Sequence, residues 1–265
     1  MKILFFGDVM GRRSRTALLE QMAHIKGQTA ADVVIVDADN AAHGYGLTPK
    51  VAADMLKKID VLTIGDHTWD HENLREFIKA EPRLVRPANW HKFPEGSGAS
   101  VIKVGKKKLL VISLLGTLFM HRDKIDNPFE TVQEILKDYK LGKNVDAIFV
   151  DFHAETTSEK VSLANFLDGK ITALIGSHTH IPTCDERILP AGTAFQTDAG
   201  MCGDFDSSIG MDKGVSMRRF MNMPKEPLRP AEGDPTLNGT LVEVLPNGLA
   251  KSIKRVRFGK NLNAN

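Results

Sequence analysis

Cysteine is scarce: the 265-residue chain has two, Cys184 and Cys202, with no CxxC pair. This excludes a disulfide framework and a thiolate zinc site. It also fits a reducing cytoplasm, with both cysteines expected as small buried residues. Long apolar runs are missing too. No stretch approaches the roughly 18 apolar residues of a membrane span. The opening MKILFFGDV meets Gly7 and Asp8 before reaching the about 7 to 15 apolar residues of a secretory signal. Charge of one sign is also lacking: 35 Lys and Arg face 33 Asp and Glu, for a net charge of +2. No basic groove for nucleic acid is implied, and Lys106 to Lys108 and KSIKRVRFGK (251–260) read as solvated strand edges and turns.

What is there, 42% apolar and 26% charged residues, suits a globular chain with a sizeable core. Five apolar runs share one shape: KILFFGD (2–8), VVIVDADN (33–40), VLTIGDH (61–67), AIFVDFH (147–153) and ITALIGSHTH (171–180). They lack polar alternation, as strands buried on both faces do. Helical patterns lie between them: Leu18, Met22 and Ile25; Val51, Met55 and Ile59, introduced by Thr48 and Pro49; and Phe129, Val132, Ile135, Leu136 and Tyr139. Hairpin signals stand at 99–115, 186–200 and 240–258. Together they predict an α/β protein layered α/β/β/α. A single domain over 1–265 is expected, with a small cap or loop insertion around 79–98 and 205–235.

The chemistry stands at the ends of the runs: Asp8; Asp39 and Asn40; Asp66 and His67; His153; His178 and His180. Ligands bind beyond the carboxyl ends of strands in α/β sheets. Imidazole is a common neutral metal ligand with no strong turn preference. In extended backbone His178 and His180 point the same way, toward one metal or two neighbouring ones. Carboxylate and imidazole without thiolate suit Mn, Fe, Zn or Mg. One contact from each of these acids and histidines exceeds a tetrahedral site, so a metal pair about 3.5 to 4 Å apart, bridged by a carboxylate and a hydroxide that attacks phosphorus in line, fits better.

The motifs GDVMGR (7–12), NAAHGYGLT (40–48), HTWD (67–70), RPAN (86–89), DNPF (126–129), DFHAETTSEK (151–160), GSHTHIPTCDERILPAGTAF (176–195) and TDAGMCG (197–203) follow in order almost end to end. In these the chain resembles the YmdB-like calcineurin-type metallophosphoesterases, bacterial 2′,3′-cyclic-nucleotide phosphodiesterases with a four-layer α/β/β/α fold and a di-iron or similar binuclear centre. The resemblance implies that Asp8 and His180 hold one metal and His153 and His178 the other. Asn40 is implied at the phosphate and the metals, and His67 as the group that protonates the leaving oxygen. Two divalent or mixed-valence ions are implied, iron first, and a homo-oligomer is suggested; RNA as a substrate is left open. Asp39 stands where the family has a bridging glutamate, about 1.5 Å longer in reach, and Asp66 where it has an asparagine. Asp66 is therefore expected to take over part of the bridging. At Thr117 the family has an arginine, so a basic contact on the substrate side is expected to be missing.

Bland readings attach to the rest. His24, His91 and His121 read as surface histidines, and Asp70 and His71 as the start of a helix. His43 is open between support of the centre and a structural role. Glu155 and Thr156 read either as orienting His153 or as capping the next helix. A phosphomonoesterase or nucleotidase at the same site, and a regulatory metal- or nucleotide-binding protein with little turnover, stay open as alternatives.

Overall fold

The computed structural model describes residues 1–120, 122–224 and 226–259. In chain order the elements are β1 (Lys2–Phe6), α1 (Gly11–Thr29), β2 (Val33–Asp37), α2 (Pro49–Met55), β3 (Val61–Thr63), α3 (Leu74–Ala80), β4 (Leu84–Val85), β5 (Ala99–Val104), β6 (Lys107–Leu115) and α4 (Pro128–Asp138). They continue with β7 (Ala147–His153), α5 (Thr157–Leu167), β8 (Ala173–Ser177), β9 (Arg187–Ile188), β10 (Ala194–Gln196), β11 (Cys202–Gly203), α6 (Lys213–Phe220), β12 (Thr236–Val244) and β13 (Ala250–Phe258). The five apolar runs are β1, β2, β3, β7 and β8.

Two sheets form. One is ordered β11-β12-β1-β2-β3-β4 with β13 on the other edge of β12, and the second β5-β6-β7-β8-β10-β9. Strands β1 to β4 are parallel, as are β6, β7, β8 and β10. The hairpins expected at 99–115, 186–200 and 240–258 are the antiparallel pairs β5–β6, β9–β10 and β12–β13.

Strand periodicity divides each run between two cores. Ile3, Phe5, Val33 and Ile35 face the second sheet's Leu109, Val111, Phe149 and Ile175, and Phe5 meets Phe149 across the layers at 5.1 Å between ring centroids. Leu4, Phe6, Val34 and Val36 instead pack against Leu18, Met22, Ile25 and Met55 of the outer helices. On the far side, Ile148, Val150 and Phe152 face Val132, Leu136 and Leu163. The layering is α/β/β/α, as the sequence predicts. Helix starts follow their capping residues: Thr48 accepts from Val51 N, and Asn127 from Phe129 N with Pro128 next. No helix among the described residues is long and apolar enough to cross a membrane.

Two devices hold the loops around the strand tips. Behind β8, the Lys160 ammonium donates to Ser177 O (2.8 Å) and to Asp198 Oδ2 (2.9 Å), with the Lys160 and Asp198 side chains fully buried. Asp198 also accepts from Thr179 N (3.1 Å) and Oγ1 (2.7 Å), fixing the turn that carries both loop histidines. On the opposite flank, Met10, Met201 and Met211 pack together with Tyr45, Phe205 and Leu228 against them, seating the 205–235 segment. Removing one partner of a buried ion pair strands the other charge, at a cost of about 3 to 5 kcal/mol. Asp198→Ala should therefore lower the unfolding free energy measured by urea titration by that amount, whereas a change under about 1 kcal/mol would show the clamp to be dispensable.

Candidate metal centre

The strand tips of both sheets meet at one place. From the first sheet come Asp8 after β1, Asp37 at the end of β2 with Asp39 and Asn40 beyond it, and Asp66 and His67 after β3. From the second come His153 at the end of β7, and His178 and His180 after β8. All but His67 and His178 are buried.

His153 is the junction. Its Nδ1 lies 3.0 Å from Asp37 Oδ2 and 3.1 Å from Ser177 Oγ. Its Nε2 faces Asp66 Oδ1 at 3.2 Å, Asp39 Oδ2 at 3.5 Å and His178 Nδ1 at 3.0 Å. Gly65 makes room for the ring, because a Cβ there would come within 2.5 Å of it. His180 Nδ1 donates to Ile209 O (2.7 Å), leaving Nε2 3.7 Å from Asp8 Oδ1. In both His153 and His180 one nitrogen is oriented and the other left toward the acids, as ligands require.

The expectation of extended backbone through GSHTH is corrected. Strand β8 ends at Ser177, and His178 and His180 have φ of 92° and 66°, in the left-handed region. Such backbone is costly for a residue with a Cβ. The hydrogen bonds to Asp198, with His178 N donating to Asp8 Oδ2 (3.1 Å), hold it.

The acids are unequal. Asp39 Oδ1 accepts from Gly65 N (2.7 Å) and His67 N (3.1 Å), so its short side chain is tied to the tip of β3 and only Oδ2 turns to His153. Asp66 belongs to two of the ligand groups, with His153 and His178 and with Asp39 and His67. Its Oδ2 meets Arg122 Nη2 at 3.0 Å.

The electrostatics ask for positive charge. Burial pushes Asp37 up to about 7 and Asp39 up to about 6. Burial opposes a charged His153, yet the Asp39 and Asp37 carboxylates draw it well above the ordinary histidine range. Burial and the His153 charge push His178 down to about 3, toward the neutral form a metal takes. Asn40 Nδ2 donates to Gly44 O (3.1 Å), while its buried Oδ1 has no hydrogen-bond partner. Crowded carboxylates and neutral imidazole, with an orphaned amide oxygen one residue on from Asp39, are a donor set that fits a hard or borderline divalent cation.

His67 stands at the mouth. Asp70 Oδ2 is 2.7 Å from its Nδ1, and Tyr45 packs edge-on at 5.2 Å. Burial opposes its charge, but the Asp70 contact and the Asp39 and Asp66 charges hold it up to about 9. Asp70 therefore orients His67 and does not start a helix. His71 bonds Tyr45 O at 3.0 Å, and α3 begins at Leu74. Glu155 reaches His178 Nε2 (3.2 Å), neither orienting His153 nor capping α5, whose cap residue Thr156 makes no side-chain cap bond. His24 and His43 are exposed, and His91 pairs with Asp126 at the surface. His121 lies outside the described residues. Cys202 is buried, but Cys184 is exposed, against expectation.

Sequence reasoning missed Asp37, Asp70, Asp151 and Arg122. Asp151 accepts from Thr63 Oγ1 (2.5 Å) and from Ser177 Oγ (2.7 Å), supporting the hydroxyl that meets His153. Its signal was present, since Asp151 and His153 are two apart on one strand and share a face. Asp37 ends its run as the others end theirs. Arg122 carries no such signal. It lines the open cleft with Asp66 and His178, placing a guanidinium there although position 117 is a threonine. Thr117 itself donates through N and Oγ1 to Glu159.

The sequence profile of the family described as YmdB-like protein matches residues 4–256. A 2′,3′-cyclic-nucleotide 2′-phosphodiesterase of Bacillus subtilis (strain 168) is 40% identical over 246 residues, covering 92% of this chain and 91% of that protein. A crystal structure of a novel phosphatase from Mycoplasma pneumoniae superposes with a TM-score of 0.91 at 35% identity, covering 98% of this chain and 94% of that one. One of a hypothetical protein from Thermus thermophilus superposes at 0.90 with 34% identity, over 98% and 100%. Nearly the whole chain is matched in sequence and in backbone, and it belongs to the YmdB-like protein family.

Proposed function

We infer that the chain is a cytoplasmic, metal-dependent phosphodiesterase that hydrolyses 2′,3′-cyclic nucleotides or related small phosphodiesters. One observation carries the reading: aspartates and histidines close enough to hold metal ions converge next to an Asp70-oriented histidine. The activity named for the Bacillus subtilis relative supports the substrate class.

Asp8 and His180 would hold one ion and His153 and His178 the other, with Asp39, Asp66 and Asn40 also available to the ions and Asn40 to the phosphate. Two divalent or mixed-valence ions, iron first and Mn, Zn or Mg next, supply when bound a nucleophile from water and neutralise phosphate charge. The protein's part is proton placement. Asp70 holds His67 Nδ1, which leaves the Nε2 proton to pass to the departing ribose oxygen, leaving a neutral ring. Asp37 and Ser177 keep the His153 ring turned, so Nε2 stays toward the ions. The 205–235 segment is read as a small cap tied to the site through Ile209 and His180.

Elemental analysis of the purified protein should find two metals per chain. Turnover should be high on 2′,3′-cyclic AMP and bis-p-nitrophenyl phosphate, and low on 3′,5′-cyclic AMP and p-nitrophenyl phosphate. The reverse order on the two nitrophenyl esters would make it a phosphomonoesterase, and two metals with no turnover a binding protein. His67→Ala should keep its metals and lose about 10²- to 10⁴-fold in kcat; loss of the metals as well would make His67 a ligand. Asp66→Asn should lower both metal content and kcat, and unchanged values would remove Asp66 from any bridging role.

A further inference from the structure

Beyond the ligands, the cleft of about 540 Å³ that opens from the centre is lined by Asp66, Phe119, Met120, Arg122, Glu155 and His178. Phe119 is 71% exposed, unusual for a phenylalanine beside a formed core. Its backbone is left-handed, with φ of 62°, a conformation that a bulky residue adopts only when its surroundings impose it.

The loop that carries it is anchored on both sides. The loop from 116 is tied by Gly116 N to His153 O (2.9 Å), by Thr117 N and Oγ1 to Glu159 (2.9 Å each), and by Asp123 O and Asp126 O to Trp90 and Asn89 (3.0 and 2.9 Å). Met120 is buried in the core, so the loop anchors one side chain inward and leaves its neighbour out. Three residues on from Phe119, Arg122 presents a guanidinium between Asp66 and His67, 3.0 Å from Asp66 Oδ2 and 3.5 Å from His67 Nδ1. The cleft lining thus combines an exposed aromatic side chain, a cation and candidate metal ligands. Its complement is a planar ring joined through a short linker to a phosphate.

We propose that Phe119 is the nucleobase platform of this site, a specificity-determining residue on which the base stacks while the phosphate lies between Arg122 and the metal centre. This deepens the phosphodiesterase reading and rests on it. Every base has a π-face, so stacking of this kind accepts all four bases. Glu155, the cleft side chain best suited to reading a base edge, is engaged with His178. The enzyme should therefore separate nucleotides from base-free phosphodiesters far better than one nucleotide from another.

The test uses metal-loaded protein and two substrates, 2′,3′-cyclic AMP and the base-free glycerol 1,2-cyclic phosphate. Phe119→Ala should lower the ratio of kcat/KM for the nucleotide over that for the base-free ester by about tenfold. The change should lie in KM, with the ratio restored in Phe119→Trp. An unchanged ratio would overturn the proposal. A second readout is independent of turnover: in Phe119→Trp, adenosine 3′-monophosphate should quench fluorescence beyond any change in wild type, whose Trp69 and Trp90 are buried. Quenching without hydrolysis would sink the phosphodiesterase reading and keep the platform. Hydrolysis without quenching would do the opposite.

Discussion

The structure turns on one cross-sheet contact, His153 Nδ1 to Asp37 Oδ2 at 3.0 Å. His153 ends a strand of the second sheet and Asp37 a strand of the first, so the bond pins the two layers at their tips, where hydrophobic packing gives out. Phe5 against Phe149 brings the layers together but is non-directional and fixes no rotamer. The polar contact does. It aims Nε2 at Asp66, Asp39 and His178, and the same Asp37, through Oδ1, accepts from Asp39 N (2.8 Å) and so shapes the turn that delivers the next acid. One carboxylate thereby orders a candidate ligand on each sheet.

Burying Asp8, Asp37, Asp39, Asp66 and Asp151 together is unfavourable, because like charges in a low dielectric resist ionisation. The acids share that burden unequally. Asp151 is pushed up to about 8, by burial and then by Asp37, and serves as the acceptor for Thr63 and Ser177. Asp66 goes the other way: burial works against its charge, but the hydrogen bond and charge of His153, with His67 and His178, hold it well below the usual carboxylate range. Asp66, so held, is also the acid shared between two of the candidate metal-holding groups.

The framework was legible because it rests on periodicity. Double-faced apolar runs, helical spacings and turn chemistry suffice to read two sheets under helices, and run ends suffice to read most of the donors. What was illegible depends on contacts distant in sequence. Asp70 looks like a helix start until the ring of His67 is seen against it, since a carboxylate near a helix has two uses and local sequence does not choose. The left-handed turns at His178 and His180 follow from Asp198, well downstream in the chain and tied in turn to Lys160. Arg122 lies in a loop whose path is set by Asn89, Trp90 and Glu159, so no local pattern announces it.

The two departures from the family pattern make sense as one rearrangement. A glutamate at 39 would reach inward. The shorter Asp39 instead commits Oδ1 to the amides of Gly65 and His67, bracing the tip of β3 and leaving Oδ2 to face the His153 ring. The tip it braces carries Asp66, whose Oδ1 lies 3.2 Å from the same His153 nitrogen. An asparagine at 66 would have turned either its oxygen or its NH2 toward Arg122, and an NH2 against a guanidinium is donor against donor. The carboxylate satisfies both sides, with Oδ2 on Arg122 and Oδ1 toward His153. Asp39, Asp66 and Arg122 therefore form one connected set: the charge at 66 is countered at 122, and the backbone that carries 66 is held by 39.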